Sequence, residues 1–259
     1  MKTRRPWRAL MAVTLVTVLA IPVCAQEASP GQAIRVLDAM TRLLSTILDR
    51  NRPAPKPTEV GPEEVLFNGQ NLDGWKRSGF AGEGDVHVER RFDGNGPALI
   101  IEAGATLSGV TWTGEAQKDR FEVLLEFMKI EGSDFACGLT FPVGDSHATL
   151  VLGGWGGSVV GLSCIDGHDA SDNATTTYMT FAERRWYSVR VRVALPTIEA
   201  WLDGKPLFRV DITGKSISLR HGEIWRSAPL GIATYQTKAA FRNIKLRRLT
   251  SEAPTPSGH

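Results

Sequence analysis

The chain contains no Walker loop, dinucleotide fingerprint, zinc-type cysteine pattern or G-x-S-x-G elbow, which removes the nucleotide-dependent, zinc-ribbon and α/β-hydrolase readings. Cysteine is scarce, with 3 in 259 residues, so a small disulfide-stapled scaffold is excluded. An excess of one charge is also missing. The formal net charge is +2; without the four basic residues of the first 25, the other 234 carry 26 basic and 28 acidic side chains, a net of −2. Such a product has no electrostatic reason to seek a phosphate backbone, so nucleic acid is not expected as a partner. The apolar run 9–23 falls short of the ~20 residues that a membrane-spanning helix needs.

That run reads instead as a secretory signal peptide covering 1–25. Lys2, Arg4, Arg5 and Arg8 form its basic start, and Val23-Cys24-Ala25 places small residues where a signal peptidase cuts, before Gln26. The expected product is exported: periplasmic, attached to the cell envelope or secreted. Cys24 leaves with the signal, and Cys137 and Cys164 remain. In an oxidising compartment they are a disulfide candidate; the alternative is two buried thiols acting as small hydrophobes, and sequence separation does not decide between them.

The 26 glycines follow no G-X-Y period and suit tight turns between short strands. Ile34, Leu37, Leu44, Ile47 and Leu48 recur at helical spacing, so 26–52 is read as one amphipathic helix whose 31–51 stripe can dock or self-associate. The proline-rich stretch 53–62 is a stiff linker, and the Ser/Pro/Thr tail 250–259 is expected to be disordered. Between them, 63–249 alternates with period two. Phe121, Val123, Leu125 and Phe127 oppose Glu122 and Glu126; Tyr187, Val189, Val191 and Val193 oppose Ser188, Arg190 and Arg192. Further strands are expected at 98–102, 138–143, 148–152, 175–181, 197–202, 206–211, 229–235 and 240–249. Leu202-Asp203-Gly204-Lys205 supplies a hairpin turn. Many short strands with almost no helix between them give an all-β sandwich of two antiparallel sheets.

Four stretches, in order, resemble the 3-keto-disaccharide hydrolase family. They are Leu66-Phe-Asn-Gly-Gln-Asn-Leu-Asp-Gly-Trp75; Arg120-Phe-Glu-Val-Leu-Leu-Glu126; Arg185-Trp-Tyr-Ser-Val-Arg-Val191 leading to Trp201-Leu-Asp-Gly204; and Pro229-Leu-Gly-Ile232 with Phe241-Arg-Asn-Ile-Lys-Leu246. The resemblance implies a concanavalin A-like jelly roll and a carbohydrate-related role in an exported bacterial protein. The matched motifs are scaffold motifs. Where many relatives carry an Asn-Ser-Gly strand, this chain reads Phe135-Ala-Cys-Gly-Leu-Thr-Phe141.

Candidate chemistry gathers in 142–173. Glycines flank Trp155 on both sides, so its indole is expected to project as a platform for a sugar face. Asp166 and Asp169 would add hydrogen bonds to hydroxyls. If the substrate is a glycoside oxidised at C3, the ketone acidifies the C2 hydrogen and a base of near-neutral pKa is needed. His147 and His168 are the candidates for that base, with Asp145 beside His147. Asp166-Gly-His-Asp-Ala-Ser-Asp-Asn173 is rich enough in oxygen to be a candidate calcium loop, though it lacks EF-hand spacing. For Trp75, Trp186 and Trp201 the expectation is core packing. Catalysis on a 3-keto-glycoside and lectin-like glycan binding without catalysis both remain open at this point.

Overall fold

The computed structural model describes residues 60–250; the stretches read as signal peptide (1–25) and helix (26–52), most of the stretch read as linker and the residues after 250 lie outside it. Fifteen strands follow in chain order: β1 (Val60–Val65), β2 (Trp75–Arg77), β3 (Val86–Glu89), β4 (Ala98–Ile101), β5 (Leu107–Trp112), β6 (Phe121–Gly132), β7 (Cys137–Val143), β8 (Ser146–Gly153), β9 (Val159–Ser163), β10 (Thr177–Tyr178), β11 (Trp186–Ala194), β12 (Thr197–Leu202), β13 (Lys205–Asp211), β14 (Gly231–Tyr235) and β15 (Thr237–Leu249). They form two antiparallel sheets. One runs β13-β12-β11-β6-β15-β4-β3 with β1 also on β15; the other runs β10-β9-β8-β7-β14-β5-β2. The architecture is the expected two-sheet jelly-roll sandwich. β1 begins three residues inside the stretch read as linker, because Glu63 and Val65 pair with Arg247 and Lys245 of β15.

Alternation explains the layers. Phe121, Val123, Leu125 and Phe127 of β6 and Tyr187, Val189, Val191 and Val193 of β11 point between the sheets, where Leu139, Phe141, Leu150, Leu152 and Leu162 meet them from the other side. The Phe127 ring stacks on Tyr187 at 5.4 Å, and Phe181 closes the group at 5.1 Å from Tyr187. Asp203 (φ 49) and Gly204 (φ 74) make the β12–β13 turn with both central residues left-handed, the geometry the Asp-Gly pair announced.

The stretch 66–75 is scaffold. Asn68 Oδ1 accepts the Gln70 and Asn71 amides, Asn71 Oδ1 accepts the Asp73 amide, and Trp75 Nε1 donates 2.8 Å to the Leu66 carbonyl. A Cβ at Gly74 (φ 79) would stand 2.3 Å from the Trp112 ring, so only glycine fits beneath that indole. Trp75 is buried as expected, and Trp186 is half-buried against Phe92. Trp201 departs from the core expectation. It alternates with the inward Ala200 and Leu202, so it lies on the outer face, with the Arg190 guanidinium 3.7 Å from its ring centre.

On that outer face one register row crosses six strands with alternating charge: Glu63, Arg247, Glu122, Arg192, Glu199, Arg209. Ion pairs close most of its steps: Glu63–Arg247 at 2.9 Å, Arg247–Glu122 at 3.0 Å, Arg192–Glu122 at 2.8 Å and Arg209–Glu199 at 3.1 Å. Glu122 is fully buried and also faces Arg190 at 3.4 Å. Three guanidinium groups thus offset the cost of burying one carboxylate.

The disulfide candidate is corrected: Cys137 and Cys164 are both buried and free. Cys137 aligns with Leu152 of β8, and Leu152 with Val160 of β9. Cys164 therefore lies two strand spacings away, about 9.6 Å, and further along the chain, beyond the ~7 Å a bridge tolerates. Burial pushes the Cys137 thiol well above its ordinary pKa, so it sits as a neutral small hydrophobe.

Candidate saccharide cleft on the seven-stranded sheet

The outer face of the seven-stranded sheet is built differently. Its register row is Ser163, Thr149, Thr140, Gly231, Thr111, Lys76, with the Thr140 and Thr149 hydroxyls 2.9 Å apart. The next row holds Gly161, Val151, Gly138, Ala233 and Gly109, so the backbone surface there is low. Into this hollow comes the connection between Asp211 and Gly231, longer than the ~12–15 residues past which a loop is usually functional. One end of this strap is pinned beside β9: the Cys164 amide donates to the Ser218 carbonyl at 2.7 Å, and the Ser216 amide donates to Asp166 at 2.8 Å. At the other end Ile224 is buried with Phe80 and Ala233.

Between strap and sheet lies a cleft of about 510 Å³, within the ordinary size of a ligand site. Thr149, Val151 and Ser163 form its floor, Phe135 and Tyr235 one wall, and Trp155 the rim. Phe135 and Tyr235 pack at 5.9 Å. Trp155 stands left-handed (φ 49) in the turn Gly154–Gly157, 41% exposed, with the Arg220 guanidinium 5.0 Å from its ring. Gly153, Gly156 and Gly157 share positive φ; this is the local cause of the projecting indole that the glycines predict.

The charged groups of the cleft are nearly all engaged. Asp169 accepts the Ser163 hydroxyl at 2.5 Å and the Ala170 amide at 2.8 Å, and pairs with Arg220 at 3.0 Å. Asp134 accepts the Phe135 and Gly156 amides, both at 2.8 Å, which fastens the Trp155 turn to the β6–β7 loop. Glu223 accepts the Ala81 amide at 3.0 Å and faces Arg226 at 3.4 Å. His221 also lines the cleft and is exposed; it makes no hydrogen bond or ion pair among the described residues. Arg220 has five N–H donors, and Asp169 uses only part of that set.

Of the residues singled out by sequence, Trp155 and Asp169 line this cleft and four others do not. Asp145 is almost fully exposed in the β7–β8 turn, where Lys118 donates to it at 2.8 Å and holds its carboxyl below the ordinary range. His147 is on the correct face of β8 but pairs with Pro142 at the hairpin end, beyond Thr149 and away from the cleft. Burial, with help from the Lys118 charge, lowers its pKa. His168 is exposed and tied to Asp172 at 3.2 Å. The Ser216 amide, with Lys215, holds the Asp166 carboxyl below its usual range and commits it to anchoring the strap. The expectation that His147, His168 and Trp155 share a site is therefore corrected. The loop read as a calcium candidate is tied in a similar way. The Asp166–Asn173 oxygens turn to the strap and their own loop; among the described residues no three His, Cys, Asp or Glu side chains gather as a metal site.

Arg220, His221, Glu223 and Asp134 were missed by sequence reasoning. The length of the connection between β13 and β14 was the available signal. A cleft on the outer face of one sheet of a jelly roll, rimmed by an exposed indole, is the candidate ligand site of this domain. The chain belongs to the family of 3-keto-α-glucoside-1,2-lyase-like domains, whose family model matches residues 62–247. That membership makes it a carbohydrate-active domain of the hydrolase-like or the binding kind.

Solved structures of similar fold include domain 4 of AbnA, an extracellular arabinanase from Geobacillus stearothermophilus, in complex with arabinotriose. It is 12% identical, with 75% of this chain and 96% of that one covered and a TM-score of 0.48. A protein of unknown function with a galectin-like fold from Bacillus subtilis is 12% identical over 75% and 99% of the two chains, TM-score 0.49. The carbohydrate-binding module CBM66 from Bacillus subtilis is 11% identical over 66% and 94%, TM-score 0.41. No curated protein matches the chain.

Proposed function

We propose that this domain, exported by the signal peptide read at 1–25, binds an α-glucoside oxidised at C3 in the strap-covered cleft and opens its C1–O bond. One observation carries the reading: among the imidazole, carboxylate and guanidinium side chains of the cleft, His221 is the one without a hydrogen bond or ion pair, while Asp134, Asp169, Glu223 and Arg220 are engaged.

The chemistry follows from the ketone. A carbonyl at C3 acidifies the C2 hydrogen, and a ring nitrogen of His221 takes that proton as the C2–H electrons pass into an enolate. Arg220, held by Asp169, supplies N–H donors and positive charge to the developing oxyanion. The enolate then re-forms the ketone and a C1–C2 double bond while the C1–O bond breaks; the departing oxygen receives the proton from His221. Water adds across the double bond to give the free keto-sugar, so the sum is hydrolysis without net redox. Trp155 and Phe135 orient the ring by its CH faces.

A binding-only module is the second reading. The specific observation in its favour is that no free carboxylate pair stands in the cleft for ordinary glycoside hydrolysis. Incubation with 3-keto methyl α-glucoside separates the two. Release of methanol is expected, slowed by deuterium at C2 and reduced about 10²–10⁴-fold in His221→Ala. An unchanged rate in His221→Ala would remove the base, and binding without product would favour the module.

A further inference from the structure

We infer that the cleft continues past Glu223 onto the indole of Trp225, so that its ligand is an oligosaccharide of about three rings lying across the strands. The inference rests on the saccharide reading above and adds a second platform and a chain length to it. Trp155 and Trp225 are the exposed tryptophans of the described residues, at 41% and 58%. Each has a guanidinium near its ring, Arg220 at 5.0 Å from Trp155 and Arg226 at 4.8 Å from Trp225. A cation so placed fixes the ring plane while much of the indole stays in water. Nothing in the core needs Trp225: its neighbours Ile224 and Ser227 are the buried members of the turn Glu223–Ser227.

The two indoles belong to segments that stand over different strands of the same sheet. Trp155 directly follows β8, and its turn bridges to β9 through Gly154 and Val159. Arg226, next to Trp225, accepts the Thr111 hydroxyl of β5 on its carbonyl at 2.7 Å. β8 and β5 are three strand spacings apart, about 14 Å, and a pyranose ring is about as long as one spacing. Glu223 lines the cleft and shares the turn Glu223–Ser227 with Trp225, which places the exposed indole two residues from the cleft lining. Glu223 and Arg226 pair with one another along it at 3.4 Å and keep further donor and acceptor capacity that sugar hydroxyls can use.

The test is calorimetric titration of the full chain with methyl α-glucoside, maltose and maltotriose, for wild type and Trp225→Ala. Maltotriose is expected to bind wild type at least about tenfold more tightly than the single ring, and Trp225→Ala to bring that ratio close to one. Trp225→Phe should keep most of the preference, and an unchanged unfolding midpoint would show that Trp225→Ala folds. Equal affinities for one and three rings in wild type, or a preference that survives in Trp225→Ala, would overturn the second platform while leaving the cleft reading intact. Absence of binding by all three sugars while 3-keto methyl α-glucoside is still opened would overturn this inference alone; absence of both would take down the saccharide reading as well.

Discussion

The two outer faces of the sandwich use the same device to opposite ends. Each carries one row of cross-strand neighbours over six strands. On the eight-stranded sheet the row is Glu63, Arg247, Glu122, Arg192, Glu199, Arg209, and its charges satisfy one another. On the seven-stranded sheet it is Ser163, Thr149, Thr140, Gly231, Thr111, Lys76: small and mostly hydroxylated up to the edge lysine, with a strap and a cleft above it. A face whose long side chains are paired in the sheet plane has little left to offer a ligand. A face of short side chains leaves a hollow, and loops decide what lines it. The difference gives one face a role in stability and makes the other the face of the proposed recognition.

The largest effect is expected where the ladder is deepest. Glu122→Ala leaves Arg190, Arg192 and Arg247 without their shared carboxylate and should cost about 3 kcal/mol or more in denaturant unfolding. Sugar affinity should stay at the wild-type value, because the change lies across the core from the cleft; a loss of affinity equal to that of a cleft variant would break the division of labour.

A smaller effect belongs to the other face. The pKa of His147 is lowered on folding from its ordinary 6.5, chiefly by burial and then by Lys118. Protonation therefore favours the unfolded chain. Its contribution is present above pH about 6.5 and lost as pH falls through the lowered folded value. His147→Gln should show a flatter decline of unfolding temperature with acidity across that window, and an identical pH profile would show that His147 is not perturbed.

Much of this was legible in the chain, for identifiable reasons. The inward residues of β6 and β11 announce themselves because a half-buried strand must alternate, and the Asp203-Gly204 turn because both residues accept positive φ. The Leu66–Trp75 signature was legible as a family mark, yet its chemistry is structural: its amides tie a loop and its indole caps Leu66. Trp155 was found because glycines on both sides free its backbone. The histidines expected near Trp155 do not line its cleft. Proximity in sequence joined Asp145 to His147 and Asp166 to His168, but strand register sent the first pair to a hairpin end and the strap engaged Asp166. Arg220 and His221 entered the cleft through a long connection without periodicity, and only the anchors at Ser218 and Ile224 place them. Loop trajectory depends on contacts far apart in the chain, which periodicity cannot encode.

The central claim is that the seven-stranded face, under the strap, is where sugar is handled. Backbone amide chemical shifts followed during titration of the labelled protein with maltotriose test it most directly. The account predicts shifts confined to 134–135, 153–157, 163–169 and 219–226. Shifts centred instead on β11, β12 and β15, around Arg190 and Trp201, would contradict it.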